Sequence, residues 1–190
     1  MFGPTYDLSM KVFDFAGLSK LRAILLSQAQ GKVLEIGIGT GLNISYYPVN
    51  IELTGIEPNE GMRRRAEKRA KGKSARIISG DAERIEFPDS EFDTVVCTLA
   101  LCSVEHPERV VNEVHRVLKP GGKFLLLEHV KGNVRGISRF FDLVDPAWKV
   151  ISGGCHLNRD PSEHLQKVGF RTESLQTLWH GLGKLWVLRK

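Results

Sequence analysis

Apolar residues in this chain gather in short continuous runs, and between the runs they recur every three or four positions. Lys32 to Gly37, Ile51 to Ile56, Phe92 to Thr98 and Lys123 to Glu128 are runs of the first kind. Such runs, apolar on both faces, predict the buried strands of a parallel sheet. Arg76 to Ala82 reads as a further strand that finishes in an acid. Helical spacing appears over Leu18 to Leu26, through Leu18, Leu21, Ile24 and Leu25, and over Glu60 to Ala70. It returns after Pro107, where Val110, Val111, Val114, Val117 and Leu118 make one stripe that Lys119-Pro120-Gly121-Gly122 interrupts. Asp160-Pro161-Ser162-Glu163 predicts another helix start, with Asp160 as cap and Glu163 reaching back. Phe170 to Leu178 and Lys184 to Leu188 then read as two antiparallel strands.

Alternation of strand and helix specifies an α/β fold, a parallel sheet with helices on both faces and right-handed crossovers. Ligands in such sheets sit outside the carboxyl ends of the strands. Those ends carry Gly37, Glu57, Asp81, Leu99 and Glu128-His129.

The first of these ends is the most informative. Val33-Leu34-Glu35-Ile36-Gly37-Ile38-Gly39-Thr40-Gly41 is an apolar run closed by alternating glycines, a turn on whose main chain a ligand can lie. A dinucleotide fingerprint needs its third small residue at position 42, and Leu42 stands there. Glu57 lies twenty residues after Gly37, the distance at which an acid ending the second strand meets ribose hydroxyls.

Length and composition narrow the class. A chain of 190 residues, 42% hydrophobic, suits one domain spanning 1–190, with a helical cap at 1–30 and a substrate lid at 131–158. Tyr6 to Phe15 reads either as part of that cap or as a flap over a ligand. Cys97, Cys102 and Cys155 have no Cys-x-x-Cys spacing, which argues for a reducing compartment and against a disulfide framework or a metal centre. Without an apolar run long enough to span a bilayer, and with an opening unlike a signal peptide, the chain reads as soluble and cytoplasmic. The net charge of +5 is concentrated between Arg63 and Arg76, read as a solvated helix face in preference to a phosphate-binding patch.

Several motifs together resemble the class I S-adenosylmethionine-dependent methyltransferases. They are Glu35 to Gly41, Gly55-Ile56-Glu57-Pro58, Gly80-Asp81-Ala82 and Val117 to Gly122, and the subgroup resembled includes quinone-biosynthesis enzymes and phospholipid N-methyltransferases. Val95 to Val104, Glu128-His129-Val130, Asp145-Pro146-Ala147-Trp148 and Gly154 to Arg159 are similar to the membrane-anchored alkyl thiol methyltransferases. Their apolar N-terminal anchor has no counterpart in this sequence, so membrane residence is not expected from the resemblance, while a peripheral membrane contact stays open.

The resemblance implies a Rossmann-like, seven-stranded, mostly parallel sheet with the last strand antiparallel, and S-adenosyl-L-methionine as cofactor. It implies that Glu35 faces the methionine ammonium and that Gly37, Ile38, Gly39 and Gly41 pass under the cofactor. Glu57, with Pro58, would hold the ribose diol; Asp81 and Ala82 would meet the adenine, with Met62 packed on it; Thr98 and Leu99 would receive the methionine end. His129 is the candidate catalytic residue on the methyl-acceptor side, with His156 and Tyr6 behind it. Three carboxylates suit a cofactor bearing cationic and donor groups and no phosphate. The expected acceptor is a small molecule: a thiol, amine, quinol or lipid head group. The alternatives are a nicotinamide-dependent oxidoreductase and a nucleic-acid methyltransferase using the basic 63–76 block. Nucleic acid is disfavoured because Leu99-Ala100-Leu101-Cys102 stands where an Asn-Pro-Pro-Tyr amine clamp would be.

Overall fold

The structure, a computed structural model, describes residues 17–131, 142–146, 149 and 154–190. Tyr6 with the rest of the expected flap, and most of the expected lid, lie outside the described residues. Seven strands form one sheet: β1 (Lys32–Ile36), β2 (Glu52–Ile56), β3 (Ala75–Ile78), β4 (Phe92–Thr98), β5 (Leu118–His129), β6 (Arg171–Leu178) and β7 (Gly183–Arg189). Their spatial order is β3-β2-β1-β4-β5-β7-β6. Pairings from β3 across to β5 are parallel, and β7 runs antiparallel to both of its neighbours. This is the topology that the alternation and the resemblance predict.

The order reverses between β1 and β4, and at such a switch point the loops leaving the two strands diverge and open a crevice. Residues 37–41 leave β1 there and Leu99 leaves β4.

Burial on both faces explains the unbroken apolar runs. Leu34, Ile36, Val95, Cys97, Phe124 and Leu126 pack on one side of the sheet, under the α3 helix (Pro107–Val117). Val33, Val96, Leu125 and Leu127 pack on the other, with residues of α1 (Ser19–Leu26) and α2 (Glu60–Ala70). Successive residues of a strand point to opposite faces, so a strand covered on both sides cannot alternate with polar residues.

Four local readings change. In α1, Ile24 faces solvent and Arg22 is buried in its stead, drawn inward by a hydrogen bond to Asn43. Strand β3 stops at Ile78, and Asp81 lies in a turn where its Oδ1 accepts the Glu83 amide at 2.9 Å. Strand β5 starts at Leu118: Phe92 pairs with Leu118 and Thr94 with Lys123, so 119–122 bulges out of a strand it was expected to precede. At α4 (Ser162–Lys167) Asp160 accepts the Ser162 amide at 3.0 Å, whereas Glu163 pairs forward with Lys167 at 3.5 Å instead of reaching back.

Candidate active site

The three glycines after β1 are all in the left-handed region, with φ of 63°, 58° and 83°. Their surroundings assign them different tasks. A Cβ on Gly37 would stand 2.6 Å from the Ala100 Cβ, and one on Gly41 would stand 2.9 Å from the Ala66 Cα of α2. These two let the turn press against the chain beyond β4 and against a helix. A Cβ on Gly39 would meet nothing nearer than the Gly37 carbonyl at 3.9 Å, so its outer side is open to a ligand. Ile38 is buried, and its amide donates to the Ile56 carbonyl at 3.1 Å.

Two residues of the basic block hold this region from below. Arg69 donates to the Thr40 carbonyl and Lys73 to the Ile44 carbonyl at 3.2 Å. A third, Arg63, reaches the Glu57 carbonyl at 3.4 Å. The block is thus in part a set of braces for the turn, a use that charge counting does not reveal.

Glu57 is 6% exposed, and its two oxygens accept the Gly39 amide at 3.0 Å and the Asn59 amide at 2.9 Å. Burial pushes its pKa up, against those two amides and Arg63, which favour the carboxylate. A carboxylate oxygen has room for more than one donor, so both can still accept a diol. Asn59 also caps α2 by accepting the Met62 amide at 3.0 Å, which seats Met62 half-buried beside the turn. Pro58 and Asp81 are exposed, and Ala82 is half-buried.

Glu35 is 1% exposed and lies in a network that sequence spacing does not show. Asn43 Nδ2 donates to its Oε1 at 2.5 Å and the Tyr47 hydroxyl to its Oε2 at 2.9 Å. Asn43 also receives Arg22 and reaches Thr98 Oγ1 at 2.8 Å. Burial is the main cause that raises the Glu35 pKa to about 7, against these donors and Arg22. Glu35 therefore fixes the underside of the turn and ties it to Thr98 at the end of β4. Leu99 follows with φ of 54°, a costly conformation for a leucine, while its amide donates to the Leu127 carbonyl at 2.8 Å.

Beyond β4 and β5 lies a cavity of about 210 Å³, lined by Leu101, Cys102, Pro107, Glu128, His129, Arg159, Asp160, Pro161 and His164. His129 stands in its wall as expected. His156 is not in that wall: its Nδ1 pairs with Asp145 at 2.9 Å and its amide donates to the Cys102 carbonyl at 3.0 Å. Burial opposes the ionisation of Asp145, but His156 and the Leu157 amide outweigh it and hold its pKa low.

The fold brings Cys102 and Cys155 together with His129, which their sequence spacing concealed. One ligand atom from each lies within 4.8 Å of the others, with His129 Nε2 and Cys155 Sγ at 3.0 Å. Burial lowers the His129 pKa, but Cys155 and Glu128 more than offset it, so the net shift is upward. Glu128 is 1% exposed and accepts two amides, from Cys102 at 3.2 Å and from His129 at 3.1 Å. Among the described residues no helix is long and apolar enough to cross a membrane.

Comparison with known proteins gives the family and the fold. Residues 34–126 match the family model described as a methyltransferase domain. The human thiol S-methyltransferase TMT1A is 37% identical over 150 residues, 76% of this chain and 62% of that protein. A phosphatidylethanolamine N-methyltransferase of Cereibacter sphaeroides is 37% identical over 103 residues, 52% of this chain and 51% of that protein. Among solved structures, an S-adenosylmethionine-dependent methyltransferase of Thermotoga maritima superposes with a TM-score of 0.79 at 25% identity, covering 100% of this chain and 96% of its own. The chain spans about three fifths of the length of the thiol methyltransferases it matches.

Proposed function

The chain belongs to the class I S-adenosylmethionine-dependent methyltransferases, and from that premise we propose that it methylates a small thiol in the cavity beyond β4 and β5. The observation that carries this reading is the arrangement at the switch point. Gly39 follows β1, Glu57 follows β2 and Thr98-Leu99 ends β4, all at the carboxyl ends of adjacent strands, and the cavity wall begins two residues on, at Leu101.

The residues present fit the cofactor. Gly39 leaves a space that any side chain would fill, and Glu57 keeps lone pairs for a ribose diol. Asp81 and Ala82, with Met62, are the residues for the adenine. Thr98 and Leu99 would take the methionine end, and Glu35 acts there through Asn43 and Thr98. The bound cofactor supplies an electrophilic methyl group on a sulfonium.

This chain's own part is to align the acceptor and exclude water. A thiol, with a pKa near 8.5, is already partly ionised at neutral pH and needs no strong base. His129 is accordingly assigned to the acceptor wall and not to proton abstraction, because Cys155 already engages its Nε2. The thiol class finds support in the thiol S-methyltransferases, which are 36–37% identical over 76% of the chain. Three cysteines, an odd number without Cys-x-x-Cys spacing, suit a reducing, cytoplasmic setting.

Calorimetric titration with S-adenosylmethionine, with NAD as control, tests the cofactor. Turnover on a panel of alkyl thiols, amines and quinols tests the acceptor. We expect binding of the first ligand alone and methylation of thiols. Binding of NAD alone would overturn the cofactor assignment, and turnover confined to amines or quinols would overturn the thiol.

A further inference from the structure

We infer that Cys102 Sγ, Cys155 Sγ and His129 Nε2 form a three-ligand site for a thiophilic divalent cation of the zinc class, whose fourth position opens on the acceptor cavity. The ligand set stands on geometry alone, while the use of the fourth position rests on the thiol reading above.

The geometry is that of an uneven tetrahedral face, with one edge short and the others within 4.8 Å. Bond lengths of about 2.3 Å to sulfur and about 2.0 Å to nitrogen place the ligand atoms of a tetrahedral ion roughly 3.5–3.8 Å apart. Here the three atoms lie within 4.8 Å of one another, with the closest pair at 3.0 Å. Small side-chain rotations would bring them to the spacing an ion requires. Two thiolates and a neutral imidazole also balance a divalent charge, which suits a site where Cys102 is 3% exposed.

The chemistry of the set is selective. Soft thiolates with one imidazole favour zinc over magnesium or calcium, and two Cys with one His is a set that leaves zinc an open position. Cys102 and His129 both line the cavity, so that position faces the space where an acceptor would sit.

The ligands are also held from behind. Glu128 accepts the main-chain amides of Cys102 and His129, the His156 amide donates to the Cys102 carbonyl, and Arg159 donates to the same carbonyl at 3.2 Å. Outer contacts of this kind orient metal ligands. Cys97 supplies the contrast, a wholly buried core residue of β4 that belongs to no such cluster among the described residues.

With the cation in place, an acceptor R–SH would take the fourth position and release its proton to solvent. Its sulfur then forms the new S–C bond while the methyl–sulfonium bond breaks, and that electron pair leaves with the cofactor's sulfur as a neutral thioether.

The test begins with metal. The full chain, purified reduced and loaded with zinc, is freed of excess by gel filtration and analysed for bound metal; a second sample is titrated with cobalt(II). We expect one equivalent of zinc and a near-ultraviolet thiolate-to-cobalt charge-transfer band. Cys155→Ser and His129→Gln should each bind zinc at least tenfold more weakly, with S-adenosylmethionine affinity unchanged, and Cys97→Ala should keep both. An added alkyl thiol should shift the visible cobalt bands. Substoichiometric zinc in the wild-type chain, a cobalt spectrum without thiolate character, or a Cys102–Cys155 disulfide forming in place of metal binding would overturn the site. Cobalt bands indifferent to the thiol would overturn its open position. Thiol methylation by metal-free protein would overturn the use of the fourth position and leave the ligand set and the proposed function standing, whereas one bound zinc without thiol turnover would overturn the proposed function and leave the ligand set standing.

Discussion

The carboxylate of Glu57, at the end of β2, accepts the main-chain N–H of Gly39, in the turn after β1, at 3.0 Å. One side chain therefore shapes the glycine turn and presents oxygen to the ribose position. Glu57→Ala should remove both functions, while Glu57→Gln keeps an acceptor for Gly39 and loses the charge. We expect the alanine variant to raise the Kd for S-adenosylmethionine by about ten- to a hundredfold, the scale of a charge-assisted contact, and the glutamine variant to fall between it and wild type. Calorimetry decides, and an unchanged Kd in Glu57→Ala would remove this residue from the cofactor site.

The turn's glycines should separate under substitution. At Gly41 an added Cβ strikes the Ala66 backbone at 2.9 Å, so Gly41→Ala should cost stability through both φ strain and overpacking, about 2–4 kcal/mol together. At Gly39 only the conformational cost of about 1–2 kcal/mol applies, and the new methyl group projects into the ligand's space. Gly39→Ala should thus stay folded and bind S-adenosylmethionine at least tenfold more weakly. Chemical denaturation and calorimetry on the two variants would reveal a reversal of this order.

The difference between those glycines marks how far the sequence is legible. Runs and stripes locate the strands because burial on both faces leaves a one-dimensional trace, and the spacing from Gly37 to Glu57 points to the ribose acid. What stays hidden depends on convergence. Arg22, Asn43, Tyr47 and Thr98 come from three segments to surround Glu35. Arg22 even sits inside an apolar stripe, four residues after Leu18, where its charge alone would argue for exposure. Cys102, His129 and Cys155 show no spacing motif because three distant segments, the loop after β4, the end of β5 and the chain at 154–158, bring them together. The bulge at 119–122 is hidden in the sequence because Pro120, Gly121 and Gly122 read as a break between elements, although pairing holds on both sides of them.

Glu35 also predicts a pH dependence. Its pKa is near 4.3 in an unfolded chain and about 7 in the fold, where burial disfavours the charge. Between these values the folded state binds more protons than the unfolded state, so stability falls as pH rises through this window. The contribution is intact below about pH 4 and lost above pH 7, at a cost on the order of 3 kcal/mol for the ionised form. Glu35→Gln, which cannot ionise and can still accept from Asn43, should therefore gain on wild type between pH 5 and pH 8. Urea denaturation of the ligand-free proteins at both values measures this. Parallel pH profiles would show that Glu35 does not titrate in the window.

The basic block offers a last, internally controlled case. Arg64 is mostly exposed and pairs with Glu60 one helical turn away at 2.6 Å, a surface contact that contributes little to stability. Arg69, on the same helix, holds the Thr40 carbonyl inside the glycine turn. If the block served mainly to attract a polyanion, the two residues would matter alike, because long-range attraction sums charges without regard to their contacts. If it braces the turn, they diverge. Arg64→Ala should leave stability within about 0.5 kcal/mol and cofactor affinity unchanged, whereas Arg69→Ala should loosen the turn and weaken S-adenosylmethionine binding several-fold. Raised salt separates the two readings further. It screens a diffuse attraction between exposed charges but leaves the partly buried Arg69 contact largely intact, so the gap between the variants should persist at high ionic strength. Equal losses in both variants that vanish with salt would instead make this face a binding surface for a polyanion.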